Sequence, residues 1–250
     1  MIPEPSQQLL KPEVTETPRL TIMEHLEELR RRLAICLVAV VVTSGIGFGI
    51  AGRLIEWLKR PAGSLLPRLA FFSPTEALVA YVKVAVLFGV VLALPVLLYQ
   101  VWAFVRPGLV RRERTAGLAF VWWGSVLFAS GAALAYTVCL PVFLQFLLNV
   151  GSPSLEPVIS ISRYLSFVTG VILICGAFFE LPLVVWMLSR LGILTPQVLR
   201  RRRSLALLAM LIVAAFVTPT TDAISLLLMT VPLLILYELS ILVSSLSARG

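Results

Sequence analysis

The chain has 250 residues, of which 59% are hydrophobic and only 14% are charged, and its formal net charge is +8. A soluble domain is about half apolar and about a quarter charged, so this composition excludes a soluble globular protein and indicates an integral membrane protein. The basic residues lie in clusters between apolar runs, which is typical of membrane helix orientation and argues against a nucleic-acid partner.

Apolar runs along the chain predict an all-α integral membrane protein with six transmembrane helices. Residues 1–19 are rich in Pro, Glu and Gln and are predicted to form a disordered cytosolic tail, followed by a single transmembrane domain over residues 20–250. The predicted spans are 33–51, 77–104, 115–138, 164–188, 205–217 and 223–243. The fifth segment is too short to cross a core of ~30 Å, so we expect either a tight hairpin with the sixth or a locally thinner bilayer.

The distribution of Lys and Arg predicts the orientation of the spans. Of the 21 basic residues, 15 lie on the side that holds both termini and the loops after the second and fourth segments. The positive-inside rule places that side in the cytosol. Two longer connections on the other side, roughly 53–76 and 139–163, contain prolines and short apolar pieces, and we expect them to form ordered caps.

Glu180 is an acid well inside the fourth predicted span, beside Pro182 and with no basic residue within helical reach. An ionised carboxylate at the bilayer centre costs roughly 2.5–3.5 kcal/mol. A protonated side chain, a wet cavity or a hydrogen bond to a neighbouring helix would avoid most of that cost.

Asp222, the single aspartate, precedes the sixth segment, where an N-cap role and a functional role are both open.

The stretch MEHLEELRRRL places three glutamates just before the first apolar run. If it is helical, Glu27–Arg31 and Glu28–Arg32 are ion pairs of the favoured polarity, four residues apart. The alternative is a cation that arrives from outside the chain. Glu113 raises the same question, because it is the sole acid in a cytosolic loop with four arginines.

Catalytic and metal-binding patterns are weak in this sequence. The single histidine, His25, has no second histidine with which to complete a zinc motif, and a single aspartate cannot form an aspartate pair. The three cysteines are far apart and form no CxxC motif. We therefore expect no enzyme activity, no metal and no cofactor.

Five stretches occur in a definite order, namely MEHLEELRRRL, LPVLLYQVWAFVRPGLVRRERT, YLSFVTGVILICGAFFELPLVV, LTPQVLRRRRS and TPTTDAISLLL. Over about residues 20–243 their order and spacing resemble the TatC family, the core component of the twin-arginine (Sec-independent) protein translocase. The resemblance implies six helices in a curved, glove-like arrangement in the cytoplasmic (inner) membrane, with both termini in the cytosol.

The resemblance also implies a function as a signal-peptide receptor and scaffold. Such a protein binds signal peptides with paired arginines at the cytosolic face. Together with TatA/TatB-type single-span membrane proteins, it exports folded proteins by using the proton-motive force. Self-association in the receptor complex is expected as well.

Residue by residue, Glu28 and Glu113 match the family's two acids that contact the arginine pair, and Phe104 matches an aromatic residue near them. An arginine fork pairs bidentately with a carboxylate in a geometry that lysine cannot reproduce, so two arginines call for two carboxylates. On this interpretation Glu28 is kept for the arriving peptide, whereas Glu27 pairs within its own helix.

The remaining matched positions concern the membrane and the partner proteins. Glu180 matches an intramembrane acid on the concave side of the helix arrangement. Pro61 matches a proline in the first extracytoplasmic cap, while Thr218 and Asp222 match polar positions before the sixth helix. Leu226 departs from the pattern, because many relatives carry a glutamine there, so we expect a more apolar partner contact.

A proton-coupled secondary transporter that uses Glu180 as its proton carrier is the alternative function. It predicts flux of small solutes through the protein alone, with no dependence on paired arginines. The sequence shows no internal repeat, although inverted repeats are typical of many transporters.

Overall fold

A computed structural model describes residues 22–65, 69–109, 115–149, 158–217 and 223–247 of the chain. Within these ranges the regular structure is helical, apart from one isolated bridge. The predicted tail 1–19 and three candidate site residues, Glu113, Thr218 and Asp222, lie outside the described residues.

Helix α1 (Ile22–Lys59) begins in the polar stretch before the first apolar run and ends beyond that run. The helical arrangement that the glutamate–arginine pairs require is therefore present. Only 6% of the most apolar stretch of α1 is buried, against 39% in helix α2 (Pro74–Val105). Because α1 packs mainly on α2, most of its apolar surface is left for contact with lipid.

Two glycines bring α1 and α2 close together. A Cβ atom at Gly47 would lie 2.8 Å from the carbonyl oxygen of Ala85, and one at Gly89 would lie 2.7 Å from the backbone nitrogen of Ser44. The Thr43 hydroxyl donates a hydrogen bond to the Gly89 carbonyl at 2.7 Å. Small residues permit such close helix contacts in membranes, and this contact holds the two helices in register.

Helix α3 (Gly117–Leu134) continues through a π-helical turn (Ala135–Cys139) into helix α4 (Leu140–Asn149). The helical structure thus extends beyond the predicted third span, into an apolar piece that the sequence analysis assigned to the extracytoplasmic connection. Pro141 does not end the helix, because it lies in the first turn after the π-helical turn, where the regular hydrogen-bond pattern is already interrupted.

The fourth predicted span consists of two helices, α5 (Ile161–Phe179) and α6 (Leu181–Arg190), which meet at Glu180. Pro182 lies in the first turn of α6, where proline is tolerated because its missing N–H has no intrahelical partner there. The break therefore lies at the acid itself.

Three helices complete the chain: α7 (Pro196–Arg201), α8 (Arg203–Val217) and α9 (Ala223–Ser247). Helix α8 has 15 residues, which extend about 22 Å and are short of a ~30 Å hydrocarbon core. Helix α9 packs on both α6 and α8 and contains Pro232, an internal proline that the sequence analysis did not single out.

The described residues contain four helical segments that are long and apolar enough to cross a membrane, and two shorter apolar helices follow them. These six segments are Met23–Gly63, Pro74–Gly108, Gly117–Leu147, Ile161–Arg190, Arg203–Ala215 and Met229–Ser245. They correspond in order to the six predicted spans. The largest buried cluster packs α2, α4 and α5 together around Val84, Phe143 and Leu165.

The extracytoplasmic end is closed by contacts between the two connections. The Ala70 N–H donates a hydrogen bond to the Ile159 carbonyl at 3.1 Å, and the Ile161 N–H donates one to the Ala70 carbonyl at 2.9 Å. Pro61 is half-buried in the 3-10 helix Arg60–Leu65, which follows α1 directly. The described parts of these connections are thus ordered.

Candidate functional site

The cytosolic ends of α1 and α2 are joined by Arg32. Its guanidinium donates two hydrogen bonds to Glu28 Oε1, at 3.0 and 2.5 Å, and a third to the side-chain oxygen of Gln100 at 3.1 Å. The side chains of Glu28 and Arg32 are only 25% and 22% exposed. The pair is therefore partly enclosed against α2 and differs from a freely solvated surface ion pair.

Glu28 and Phe104, two separately predicted site residues, are brought together by His25. The imidazole ring stacks on Phe104, with ring centroids 4.3 Å apart and an interplanar angle of 19°. Its Nδ1 atom lies 4.0 Å from Glu28 Oε2. We refer to His25, Glu28, Arg32, Gln100 and Phe104 as the α1–α2 site.

Glu27 differs from Glu28, although each glutamate precedes an arginine by four residues. Glu27 and Arg31 are both exposed, and the described residues show no ion pair between them. The expectation that Glu27 pairs within the helix while Glu28 stays open is therefore wrong. Arg32 faces α2, where Gln100 orients it toward Glu28, whereas an ion pair in open solvent stabilises little.

Arg32 uses only part of the hydrogen-bonding capacity of Glu28. Both of its bonds go to Oε1, whereas Oε2 faces His25. A second guanidinium can thus bind at Oε2, or can take both oxygens after displacing Arg32. The chemistry of the site therefore suits a guanidinium group. The guanidinium of Arg32 already occupies one side of the Glu28 carboxylate.

The acid predicted to complete the pair, Glu113, lies outside the described residues. The connection that contains it begins after Leu109, and α2 ends at Val105, one residue beyond Phe104. Leu109, the last described residue before it, is buried against Trp102, Phe120 and Met187.

Glu180 lies at the break between α5 and α6 in apolar surroundings. Both carboxylate oxygens are buried, and neither has a hydrogen-bond partner among the described residues. A Cβ atom at Gly124 of α3 would lie 3.1 Å from Glu180 Oε2 and 2.6 Å from Leu98 Cδ1. Gly124 thus leaves the space that the carboxyl group occupies. A hydrogen bond to a neighbouring helix, one of the expected solutions, is missing in the described part of the chain.

An apolar groove of about 340 Å³ begins beside this break, between α3, α6 and α9. Pro182 and Leu183, which follow Glu180 closely, line it together with Phe120, Trp123 and Trp186. Because polar atoms contribute little to this lining, the groove suits an apolar chain better than ordered water.

Gln100 and Gly124 are site residues that the sequence analysis missed. Gln100 lies one helical turn before Phe104, in one of the five recognised stretches, and that spacing is a usable signal. Its contact with Arg32, however, joins residues 68 positions apart, which no local pattern indicates. Gly124 has no chemistry of its own, and only the packed structure shows that it faces Glu180.

The fold and the site together define a multi-pass α-helical membrane protein with a partly enclosed glutamate–arginine pair at one end and a buried acid within a span. A family model described as Sec-independent protein translocase protein (TatC) matches residues 24–232. The chain belongs to the TatC family.

Individual relatives agree with this assignment. TatC proteins from Carboxydothermus hydrogenoformans and Aquifex aeolicus are 38% and 37% identical to this chain, covering 92% of it in both cases and 94% and 97% of their own lengths. A crystal structure of the twin-arginine translocase receptor TatC matches with a TM-score of 0.80 at 36% identity, covering 90% of this chain and 100% of that one.

These matches confirm the resemblance and the predicted all-α fold with six spans in a glove-like arrangement. The protein is a multi-pass membrane component of the Sec-independent protein translocase and acts in twin-arginine protein transport. The family consists of translocase components and is non-enzymatic, in agreement with the weak catalytic patterns in the sequence.

Proposed function

We propose that this chain is the receptor and scaffold of the translocase, which binds paired-arginine signal peptides at the cytosolic face of the inner (cytoplasmic) membrane. With TatA/TatB-type single-span partners and further copies of itself, it exports folded proteins by using the proton-motive force. The observation that carries the proposal is the α1–α2 site, where Glu28 already holds a guanidinium close to Phe104.

Two carboxylates are needed because two adjacent guanidinium groups arrive together. Glu28 supplies one of them, and an arriving arginine either uses Oε2 or replaces Arg32. Glu113 supplies the other from the connection that follows Phe104. A lysine ammonium has no planar fork and forms no bidentate pair, which gives preference for paired arginines over paired lysines.

The rings of Phe104 and His25 add a second source of selectivity. They form a stacked pair next to the carboxylate of Glu28. A guanidinium plane stacks on aromatic faces as well as pairing with carboxylates, and it loses less hydration than an ammonium when it does so. The aromatic pair therefore favours arginine within the same site.

The experiment that tests this proposal is peptide binding to the purified full-length chain in nanodiscs. A fluorescent signal peptide with Arg-Arg is compared with the Lys-Lys peptide, in wild type and in the variants Glu28→Gln and Glu113→Gln. We expect each variant to weaken Arg-Arg binding about tenfold or more and to reduce the preference over Lys-Lys, because a charge-assisted hydrogen bond contributes roughly 1.5–3 kcal/mol.

Glu27→Gln is the matched control for this experiment. It removes the same charge from the neighbouring position of α1, where the side chain is exposed and lacks the pairing with Arg32. We expect it to bind the peptide like wild type. Binding that ignores the arginines, or that survives both Glu28→Gln and Glu113→Gln, would exclude the two-carboxylate receptor site.

The other candidate residues are proposed to serve the partner helices or the structure. Glu180 lies beside a groove that suits an apolar helix, and Pro61 belongs to the ordered extracytoplasmic cap. Thr218 and Asp222 are proposed to act at the start of the sixth helix. Leu226 is half-buried against the main core, so its apolar side chain serves packing within the protein.

A second candidate function, proton-coupled transport of small solutes, is favoured by the buried carboxyl group of Glu180 without a hydrogen-bond partner among the described residues. Solute flux into proteoliposomes under a proton gradient, in wild type and Glu180→Gln, tests it. Unchanged flux in the variant, together with reduced export of a twin-arginine substrate, would exclude the transporter.

A further inference from the structure

Lys83 is a basic residue inside the second span whose role neither the fold nor the peptide site explains. It lies nine positions after the start of α2, about 14 Å from that helix end. Its ammonium donates hydrogen bonds to Ser162 Oγ at 2.8 Å and Ser166 Oγ at 2.6 Å, in the first turns of α5, and makes a longer one of 3.5 Å to the Ser162 carbonyl. The side chain thus extends toward the extracytoplasmic surface, as long basic side chains in membranes do.

The partners of this ammonium among the described residues are all neutral. No carboxylate in that part of the chain lies within 4.0 Å of Lys83 Nζ. Glu76, two turns earlier on α2, instead accepts hydrogen bonds from the Phe72 N–H at 2.7 Å and from the Ser160 hydroxyl. Charges within a span pair with one another or with backbone carbonyls, and the carbonyl contact of Lys83 among the described residues is a long one of 3.5 Å, so its positive charge is well placed to attract an external anion.

The hydroxyl groups beside Lys83 are arranged to help bind such an anion. Ser166 donates its proton to the Ser162 carbonyl at 2.7 Å, whereas the Ser162 hydroxyl accepts from Lys83 and has no acceptor of its own among the described residues. The Ser162 proton is therefore available to a ligand. The third ammonium proton is engaged only by the long 3.5 Å contact with the Ser162 carbonyl, so a closer anionic oxygen can take it. Arg163 is exposed on the neighbouring position and adds a second positive charge.

The surface of α2 around this polar cluster is apolar and open, and Val86 lies on its deeper side. Val79, Val82 and Val86 lie within one turn of Lys83 on α2 and are 43%, 45% and 41% exposed. A ligand that joins an anionic oxygen group to a hydrocarbon chain satisfies both parts of the surface at once. A phosphodiester with acyl chains has this chemistry.

We propose that Lys83, Ser162, Ser166 and Arg163 form a binding site for the phosphate of an anionic phospholipid in the extracytoplasmic leaflet, with an acyl chain on the valines of α2. The phosphate oxygens accept hydrogen bonds from the Lys83 ammonium and the Ser162 hydroxyl. The site couples α2 to α5 through a lipid and is separate from the α1–α2 site at the opposite membrane face.

Native mass spectrometry of the full chain in detergent tests the site. The protein is titrated with dioleoylphosphatidylglycerol, with dioleoylphosphatidylcholine as the zwitterionic lipid, and with inorganic phosphate as the soluble anion. We expect wild type to prefer phosphatidylglycerol, and Lys83→Met to weaken that binding about fivefold, which corresponds to about 1 kcal/mol per basic residue at a membrane surface. Lys83→Arg should retain most of the affinity.

Two further variants serve as controls. Arg53→Gln removes an exposed positive charge on the same side of the membrane and should leave the affinity unchanged. Glu156→Gln, in the connection before α5 that lies outside the described residues, should leave the affinity unchanged. If Glu156 were the counter-ion of Lys83, lipid binding would not depend on Lys83, and the proposal would fail.

Other results would also overturn the proposal. Equal binding of phosphatidylglycerol by Lys83→Met and wild type would do so, as would displacement of the lipid by millimolar inorganic phosphate, which would assign the site to a soluble anion. If Lys83→Met does not fold, the double variant Ser162→Ala/Ser166→Ala decides. This variant keeps the charge of Lys83 and removes the two hydroxyl groups. Lipid binding about threefold weaker than that of wild type would support the site, whereas unchanged binding would contradict it.

Discussion

At the residue scale, Arg32 determines how much of the Glu28 carboxylate is left unpaired. It places a guanidinium on one carboxylate oxygen, and Gln100 on α2 holds it in that orientation. Under the proposed receptor function, Arg32 therefore competes with the signal peptide for Glu28. A resident arginine of this kind keeps the carboxylate satisfied when no peptide is bound, and on that proposal peptide binding exchanges one guanidinium for another.

Replacing Arg32 by Gln should raise the affinity for an Arg-Arg signal peptide about twofold, because an ion pair four residues apart on a helix contributes roughly 0.3–0.5 kcal/mol. Fluorescence titration in nanodiscs measures the change. Arg31→Gln is the control. It removes the same positive charge, but from an exposed side chain that does not contact Glu28. A lower affinity in Arg32→Gln at unchanged thermal stability would mean that Arg32 belongs to the binding surface.

The sequence predicts the residues of this site only in part. Glu28 and Phe104 were found because their stretches resemble a known family, and the pairing of Glu28 with Arg32 follows from helical spacing alone. The choice between Glu27 and Glu28 as the paired acid was wrong, because it depends on which face of α1 meets α2. That is a tertiary fact, determined by Gln100, 68 residues further along the chain from Arg32.

At the element scale, the contact between α1 and α2 positions the α1–α2 site. Helix α1 has little other packing, so the glycine contacts at Gly47 and Gly89 fix where its cytosolic end lies. The apolar runs predicted both spans, since membrane helices need about 20 apolar residues. They did not predict the polar turns at either end of α1, or the continuation of α3 through a π-helical turn, because hydropathy carries no signal there.

Replacing Gly89 by Val should destabilise the protein by about 1–3 kcal/mol and weaken peptide binding as well, because the added atoms overpack the backbone of Ser44. Thermal unfolding in detergent and peptide titration are measured side by side. Gly45→Ala is the matched control on α1, where an added Cβ meets no atom within 4 Å. Equal stability of Gly89→Val and Gly45→Ala would show that the close contact does not hold these helices together.

At the scale of the whole molecule, the α1–α2 site and Glu180 belong to different groups of helices. The first is built from α1 and α2, whereas Glu180 lies between α5 and α6 and faces Gly124 of α3. Helix α2 contacts both regions, since Leu98 packs against Gly124 only two residues before Gln100. This arrangement supports a division of labour, with signal recognition at the cytosolic end and partner contact within the membrane.

Replacing Glu180 by Ala should weaken crosslinks between this chain and TatA/TatB-type helices at least threefold, while the affinity for the signal peptide changes less than twofold. The reason is that the variant removes a buried polar group beside the apolar groove and leaves every contact of Glu28 in place. Site-specific photocrosslinking in membranes and peptide titration in nanodiscs measure the two effects. Glu238→Ala is the control, because Glu238 is an exposed acid paired with Arg203 at 2.7 Å and lies away from the break. Equal losses of crosslinking and peptide binding in Glu180→Ala would show that the two regions act as one site.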